Sequence, residues 1–190
     1  MTATEAAALG GGEALRYSRV AMWLHWLIAL LLVANLALGL FHEDFSKPVR
    51  VEMMFYHKAI GMSVLALTLV RLAWRLGHRP PPFDPVLERW EVRLARLIHA
   101  LFYVMLLAIP ITGWILSSTS ARATNFFGLF DIAPLPVSRD HDFHELSEEV
   151  HGILGKLMIG LILLHLAGAL KHHFGGHRHL IGRMAPWLAR

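Results

Sequence analysis

Apolar residues run through this chain in four long blocks separated by polar turns. The blocks cover residues 20–41, 53–76, 94–116 and 150–174. Each is long enough to cross a hydrocarbon layer of about 30 Å, which takes about 20 helical residues. Lipid offers no hydrogen bonds to a backbone, so segments of this kind are predicted as helices. The pattern gives an all-α integral membrane four-helix bundle over residues 20–176. Residues 1–19 are expected as a disordered N-terminal tail and residues 177–190 as a basic C-terminal tail.

The breaks between blocks carry their own signals. Pro80, Pro81 and Pro82 stop the second helix, since proline lacks the amide donor that a helix interior needs. Residues 86–96 read as a short amphipathic stretch at the interface, ahead of the third helix. Pro110, followed by Gly113, is expected to bend that helix in its outer half. Residues 117–149 form the longest loop. Phe126, Phe127, Phe130 and Phe143 alternate there with acids, which suits a partly ordered cap over one end of the bundle.

Composition agrees with this pattern. Hydrophobic residues make up 55% of the 190, and the mean hydropathy of +0.48 is high for a soluble domain. Charge then sets orientation. Twelve of the 18 Lys and Arg fall at the helix ends that share a side with both termini. By the positive-inside rule that side is cytoplasmic. Topology thus accounts for the pI near 9.9, and no nucleic-acid partner is expected. The first apolar block is longer than a secretory signal core, so it reads as a retained helix. The sequence has no cysteine, which excludes disulfides, thiolate-bound iron–sulfur clusters and covalent haem attachment.

Histidines supply the candidate chemistry. His151 and His165 lie fourteen residues apart on the last apolar block, about 21 Å along a helix and on nearly the same face. Polar side chains at bilayer depth are costly and need partners. His25 matches the depth of His165 near the cytoplasmic side, and His57 matches His151 near the outer side. Two imidazole pairs at two levels suit bis-histidine ligation of two non-covalent haems b. One turn beyond the four histidines stand Ala29, Gly61, Gly155 and Ala169, small enough for a flat macrocycle to approach the backbone. A lone histidine near a helix end is ordinarily an interfacial or hydrogen-bonded residue, but matched pairs outweigh that reading. His99 lies at a depth that would allow pairing with His25. The bulk of Tyr103 one turn on argues against it as a ligand.

Other residues carry secondary expectations. His172 could meet a quinone carbonyl near the inner pair, or simply snorkel to the interface. Lys47, Arg50 and Lys58 could steer an anion to the outer end, or be ordinary solvated charges. His177 and His179 belong to the basic tail. Trp23, Trp26, Trp74, Trp114 and Trp187 read as an interfacial belt.

Together these positions resemble the bacterial and nickel-hydrogenase type of cytochrome b561, across roughly residues 16–186. The resemblance is carried by Tyr17-Ser18-Arg19 with His25-Trp26, by His57-Lys58-Ala59-Ile60-Gly61, and by Arg71-Leu72-Ala73-Trp74-Arg75-Leu76. Ile109-Pro110-Ile111-Thr112-Gly113-Trp114, the span from His151 to His165, and His172-His173 complete it. The resemblance implies a haem held by His25 with His165 and a second held by His57 with His151, in the bacterial inner membrane. It further implies electron transfer from a periplasmic donor, superoxide in the stand-alone type, to quinone, with His172 at the quinone position. Relatives that anchor hydrogenases or formate dehydrogenases supply an alternative, a relay subunit for a partner enzyme. A third reading is a non-redox membrane protein that binds another metal.

Overall fold

The computed structural model describes residues 16–188. Most of the expected N-terminal tail and the last two residues therefore lie outside the described part. Four long helices carry the fold: α1 (Arg19–Phe41), α2 (Lys47–Gly77), α3 (Arg89–Thr119) and α4 (His141–Phe174). All four are long and apolar enough to cross a membrane.

Their starts follow from local chemistry. Ser18 caps α1 by accepting from the Ala21 amide, and Asp140 caps α4 by accepting from the Phe143 amide. At α3, Glu88 and Glu91 satisfy each other's backbone amides in a reciprocal box, which answers donors that a helix start leaves unpaired. Proline in the first turn of α2 sits where its missing amide costs nothing.

Three helices reach further than their apolar blocks. α2 begins at Lys47 and not at residue 53, so His57 lies nearly three turns inside it. Residues 89–96 are the first two turns of a continuous α3 and not a separate interfacial element. α4 begins at His141, so the outer loop is shorter than expected and His141 and His144 are helical. A two-stranded antiparallel hairpin, β1 (Thr124–Phe126) with β2 (Phe130–Ile132), occupies much of what remains.

α1 packs along α2, and α3 along α4, giving two helical hairpins joined through α2 and α3. α1 and α4 share no comparable seam. At the centre, Ile28, Val64, Leu106 and Met158 are buried together, one from each helix. Outside, large apolar residues such as Leu30, Leu69, Val104 and Leu163 are exposed, as a lipid solvent allows. A sequence ladder in sevens organises the levels: His57, Val64, Arg71 on α2; His99, Leu106, Gly113 on α3; His151, Met158, His165 on α4. Seven residues are about 10 Å, so the buried layer lies midway between two histidine levels.

The C-terminal segment is not a loose tail. Residues 178–182 form α5 (Arg178–Gly182), followed by a short turn at Pro186–Leu188. It folds back under the bundle: the Trp26 indole donates to the Met184 carbonyl at 2.9 Å, and the Tyr17 amide donates to the Arg183 carbonyl. His179 contacts Asp84 at 3.1 Å. Sequence pattern alone overlooked this because the segment is short and basic, and its partners lie about 100 to 160 residues away.

Candidate functional site

The four sequence-predicted histidines meet in two pairs. The rings of His25 on α1 and His165 on α4 are 6.4 Å apart between centroids. Those of His57 on α2 and His151 on α4 are 6.0 Å apart. Both pairs reach across the gap between the two helical hairpins. A metal–imidazole bond of about 2 Å on each side of one ion puts axial ring centroids about 6 Å apart. The paired spacing therefore suits two imidazoles on opposite faces of one iron. Among the described residues no group of three or more His, Asp or Glu is placed to hold a single metal ion, so the donor set is one of pairs.

The outer pair is built with the same device twice. The His57 Nδ1–H donates to the Asn35 carbonyl at 3.0 Å, an acceptor only. The Thr112 hydroxyl donates to the Ile109 carbonyl at 2.9 Å and has a lone pair left for His151 Nδ1–H at 3.2 Å. With Nδ1 protonated in both neutral rings, each Nε2 keeps a free lone pair, the atom a haem iron takes. Four residues after each carbonyl stands a glycine. A Cβ on Gly39 would lie 2.8 Å from His57 Cε1, and one on Gly113 would lie 2.9 Å from His151 Cε1. Each glycine is thus a notch that seats an imidazole. From the sequence alone Gly113 reads only as a bend, and Gly39, Asn35 and Thr112 carry no mark of site residues. The seven-residue ladder from His99 to Gly113 was the available signal.

The small residues one turn beyond the histidines behave differently. A Cβ on Gly155 would meet nothing within 4 Å, and one on Gly61 only the Asn35 amide. Open space therefore lies beside Gly155, while Gly61 packs on Asn35. Asn35 Oδ1 is buried with no hydrogen-bond partner, a polar atom left over beside the outer pair.

At the inner level a third imidazole joins the two expected. His99 on α3 lies 5.9 Å from His165, ring to ring, close to His165 and not simply facing His25. α3 and α4 pack against each other, whereas His25 and His165 face across the gap between hairpins. The His25–His165 pair is the one contributed by two helices that share no such seam. Phe102 packs on His165 at 5.3 Å, closing another side.

The remaining candidates are dispersed. His172 is half-buried near the start of α3, its Nε2 3.8 Å from the Glu91 carboxylate, which also binds Lys171 at 2.7 Å. Lys47 and Arg50 are exposed in the first turn of α2, and Arg50 donates to the Glu43 carbonyl. Lys58 lies three turns deeper than Lys47, about 16 Å along the helix. It is half-buried and donates to Ser117 Oγ at 3.2 Å. The three cations thus do not form one patch. Three tryptophans of the expected belt pin segments outside the four helices or at their ends: besides Trp26, the Trp74 indole donates to Ser18 Oγ and that of Trp114 to the Ala133 carbonyl in the outer loop.

Fold and site define a class: a multi-span membrane protein whose interior presents facing imidazoles at two depths. The chain belongs to the prokaryotic cytochrome b561 family, whose sequence profile it matches over residues 16–187. It is 26% identical over 173 residues to cytochrome b561 homolog 1 of Escherichia coli K12, covering 90% of this chain and 97% of that protein. To cytochrome b561 homolog 2 of the same organism it is 28% identical, covering 84% and 85%. The probable superoxide oxidase CybB of Yersinia pestis is 27% identical over 174 residues, 90% of this chain and 96% of that one. Membership makes the protein a membrane electron carrier that uses b-type haem.

Proposed function

We propose that the chain carries two haems b, one on His25 with His165 and one on His57 with His151, and passes electrons from an outer donor to quinone. The observation that carries this reading is the repeated pair: imidazoles from facing helices, ring centroids 6.0 and 6.4 Å apart, at two levels. Bound haem supplies reversible one-electron chemistry. The chain fixes ring tautomers, excludes water with the layer around Met158, and spaces the two levels about 21 Å apart along α4.

The donor we assign is superoxide. Its support is the similarity to a protein named probable superoxide oxidase over nearly all of both chains. Two superoxide anions would each give up one electron and leave as dioxygen. One quinone would take both electrons and two protons. His172 lies about two turns beyond His165 and beside Glu91, and we assign this ionisable pair to the uptake of those protons. Lys58 is the cation set nearest the outer pair, next to His57 in sequence. With the arginine-rich side facing the cytoplasm, the donor end faces the periplasm and the protein resides in the bacterial inner membrane.

The test is rapid-mixing of purified, haem-loaded protein with superoxide and a soluble quinone. Superoxide should decay with two anions consumed per quinol formed, and His151→Ala should abolish that coupling. Superoxide decay no faster than with His151→Ala would contradict the donor assignment and favour a relay subunit for a partner dehydrogenase.

A further inference from the structure

A cleft of about 810 Å³ opens at the arginine-rich end, between the start of α1 and the last turns of α2. Five guanidiniums line it, from Arg16, Arg19, Arg71, Arg75 and Arg79, and no carboxylate does among the described residues. Among the described residues none of the five has an acidic partner within ion-pair distance; Asp84 and Glu91, at the same end of the molecule, pair with His179 and Lys171. Like charges brought together without counter-charge repel, so such a cleft is stable when an anion fills it.

The walls are fixed in advance. Arg71 is half-buried and donates to two neutral acceptors, the Tyr103 hydroxyl at 3.3 Å and the Ala21 carbonyl at 3.0 Å. Its charge stays available. Arg75 lies over the Tyr103 ring, 5.5 Å from the centroid. Trp74 is pinned to Ser18 and stacked on His78 at 3.7 Å. Pro186, from the folded-back C-terminal segment, completes the lining.

The geometry points to a binding site for the phosphate headgroup of an anionic phospholipid. Two carboxylates, the number a haem brings, would answer only two of five cations. Guanidiniums suit phosphate because their donors match its oxygens in pairs. Beside the cationic mouth, Trp23 and Leu76 are strongly exposed, each one residue from a lining residue. A ligand with an anionic head and apolar chains satisfies both surfaces, whereas free phosphate satisfies one. Polybasic sites at the cytoplasmic leaflet recognise acidic lipids in this way.

The experiment uses the full chain, delipidated in detergent with haem retained, titrated with phosphatidylglycerol, phosphatidylcholine or inorganic phosphate and read by native mass spectrometry and thermal stability. Phosphatidylglycerol should bind at least tenfold more tightly than phosphatidylcholine. The double variant Arg19→Gln/Arg79→Gln should weaken it about thirtyfold, at about fivefold per basic residue, while haem content stays at the wild-type value. On the wild type alone, affinity for phosphatidylglycerol should fall steeply with salt. Equal binding of the two lipids, or no loss in the double variant or with salt, overturns the site. Stabilisation by inorganic phosphate equal to that by phosphatidylglycerol overturns the lipid as its occupant. Neither result bears on the histidine pairs, because haem content is read separately.

Discussion

At the scale of single residues, the histidines do not stand alone; each outer ring is seated by a notch on a neighbouring helix. Gly113→Ala should displace His151 and remove the outer haem while sparing the inner one, and Gly39→Ala should do the same through His57. A haem-to-protein ratio reduced by half is the expected readout for each. Thr112→Val keeps the volume but deletes one acceptor for His151 Nδ1–H, leaving only the Ile109 carbonyl beside it. A less electron-rich imidazole follows, so the outer midpoint potential should rise by tens of millivolts with the inner one unchanged. Thr112→Ser should restore it. An unmoved potential in a redox titration would mean that Thr112 is only packing. His172→Ala should keep both haems and slow quinone reduction; unchanged kinetics would leave it an interfacial residue. The four paired histidines were legible in sequence because a polar residue inside an apolar block is conspicuous. Gly39, Asn35 and Thr112 were not, because a notch is defined by what faces it across a helix boundary.

At the scale of elements, hydropathy located four helices but misjudged their ends. The first turns of α2, α3 and α4 are polar, with Lys47 and Arg50, Arg89 and Glu91, and Asp142 and Glu145, so an apolar window starts too late. Caps decide those boundaries, and the pairing of Glu88 with Glu91 was a local cue within reach. The C-terminal clasp was out of reach, since its contacts are long-range. Asp84 there is held below the usual carboxylate range, first by the Val86 amide and also by His179 beside it. A carboxylate depressed on folding contributes stability above its unfolded pKa and loses it as pH falls through the folded one. The Asp84–His179 contact should therefore be present at neutral pH and be lost as acid protonates Asp84. Asp84→Asn should increase hydrogen exchange in α5 at pH 7, by a small margin suited to an exposed contact. Identical exchange would mean that the Trp26 and Tyr17 bonds hold the segment alone.

At the scale of the whole molecule, the two helical hairpins form a membrane wire with an apolar midpoint. Each histidine pair bridges the hairpins, and the layer of Ile28, Val64, Leu106 and Met158 separates the levels. The number of spans could be read from the four apolar blocks, and the pairing of depths from where the histidines fall within them. What could not be read was the crowding at the inner level, where His99 joins His165. Sequence depth alone cannot tell a residue across a gap from one across a packed seam. The scattering of Lys47, Arg50 and Lys58 likewise needed three dimensions. Lys58→Gln should therefore slow superoxide oxidation more than Lys47→Gln, and only the former should blunt the salt dependence of the rate. Equal effects would restore a diffuse cationic funnel.

The central claim is that both imidazole pairs hold haem, and a pyridine haemochrome assay against protein quantitation tests it most directly. The account predicts two haems b per chain in detergent-purified protein made with adequate haem supply. A value of one, or none in a folded preparation, would contradict it.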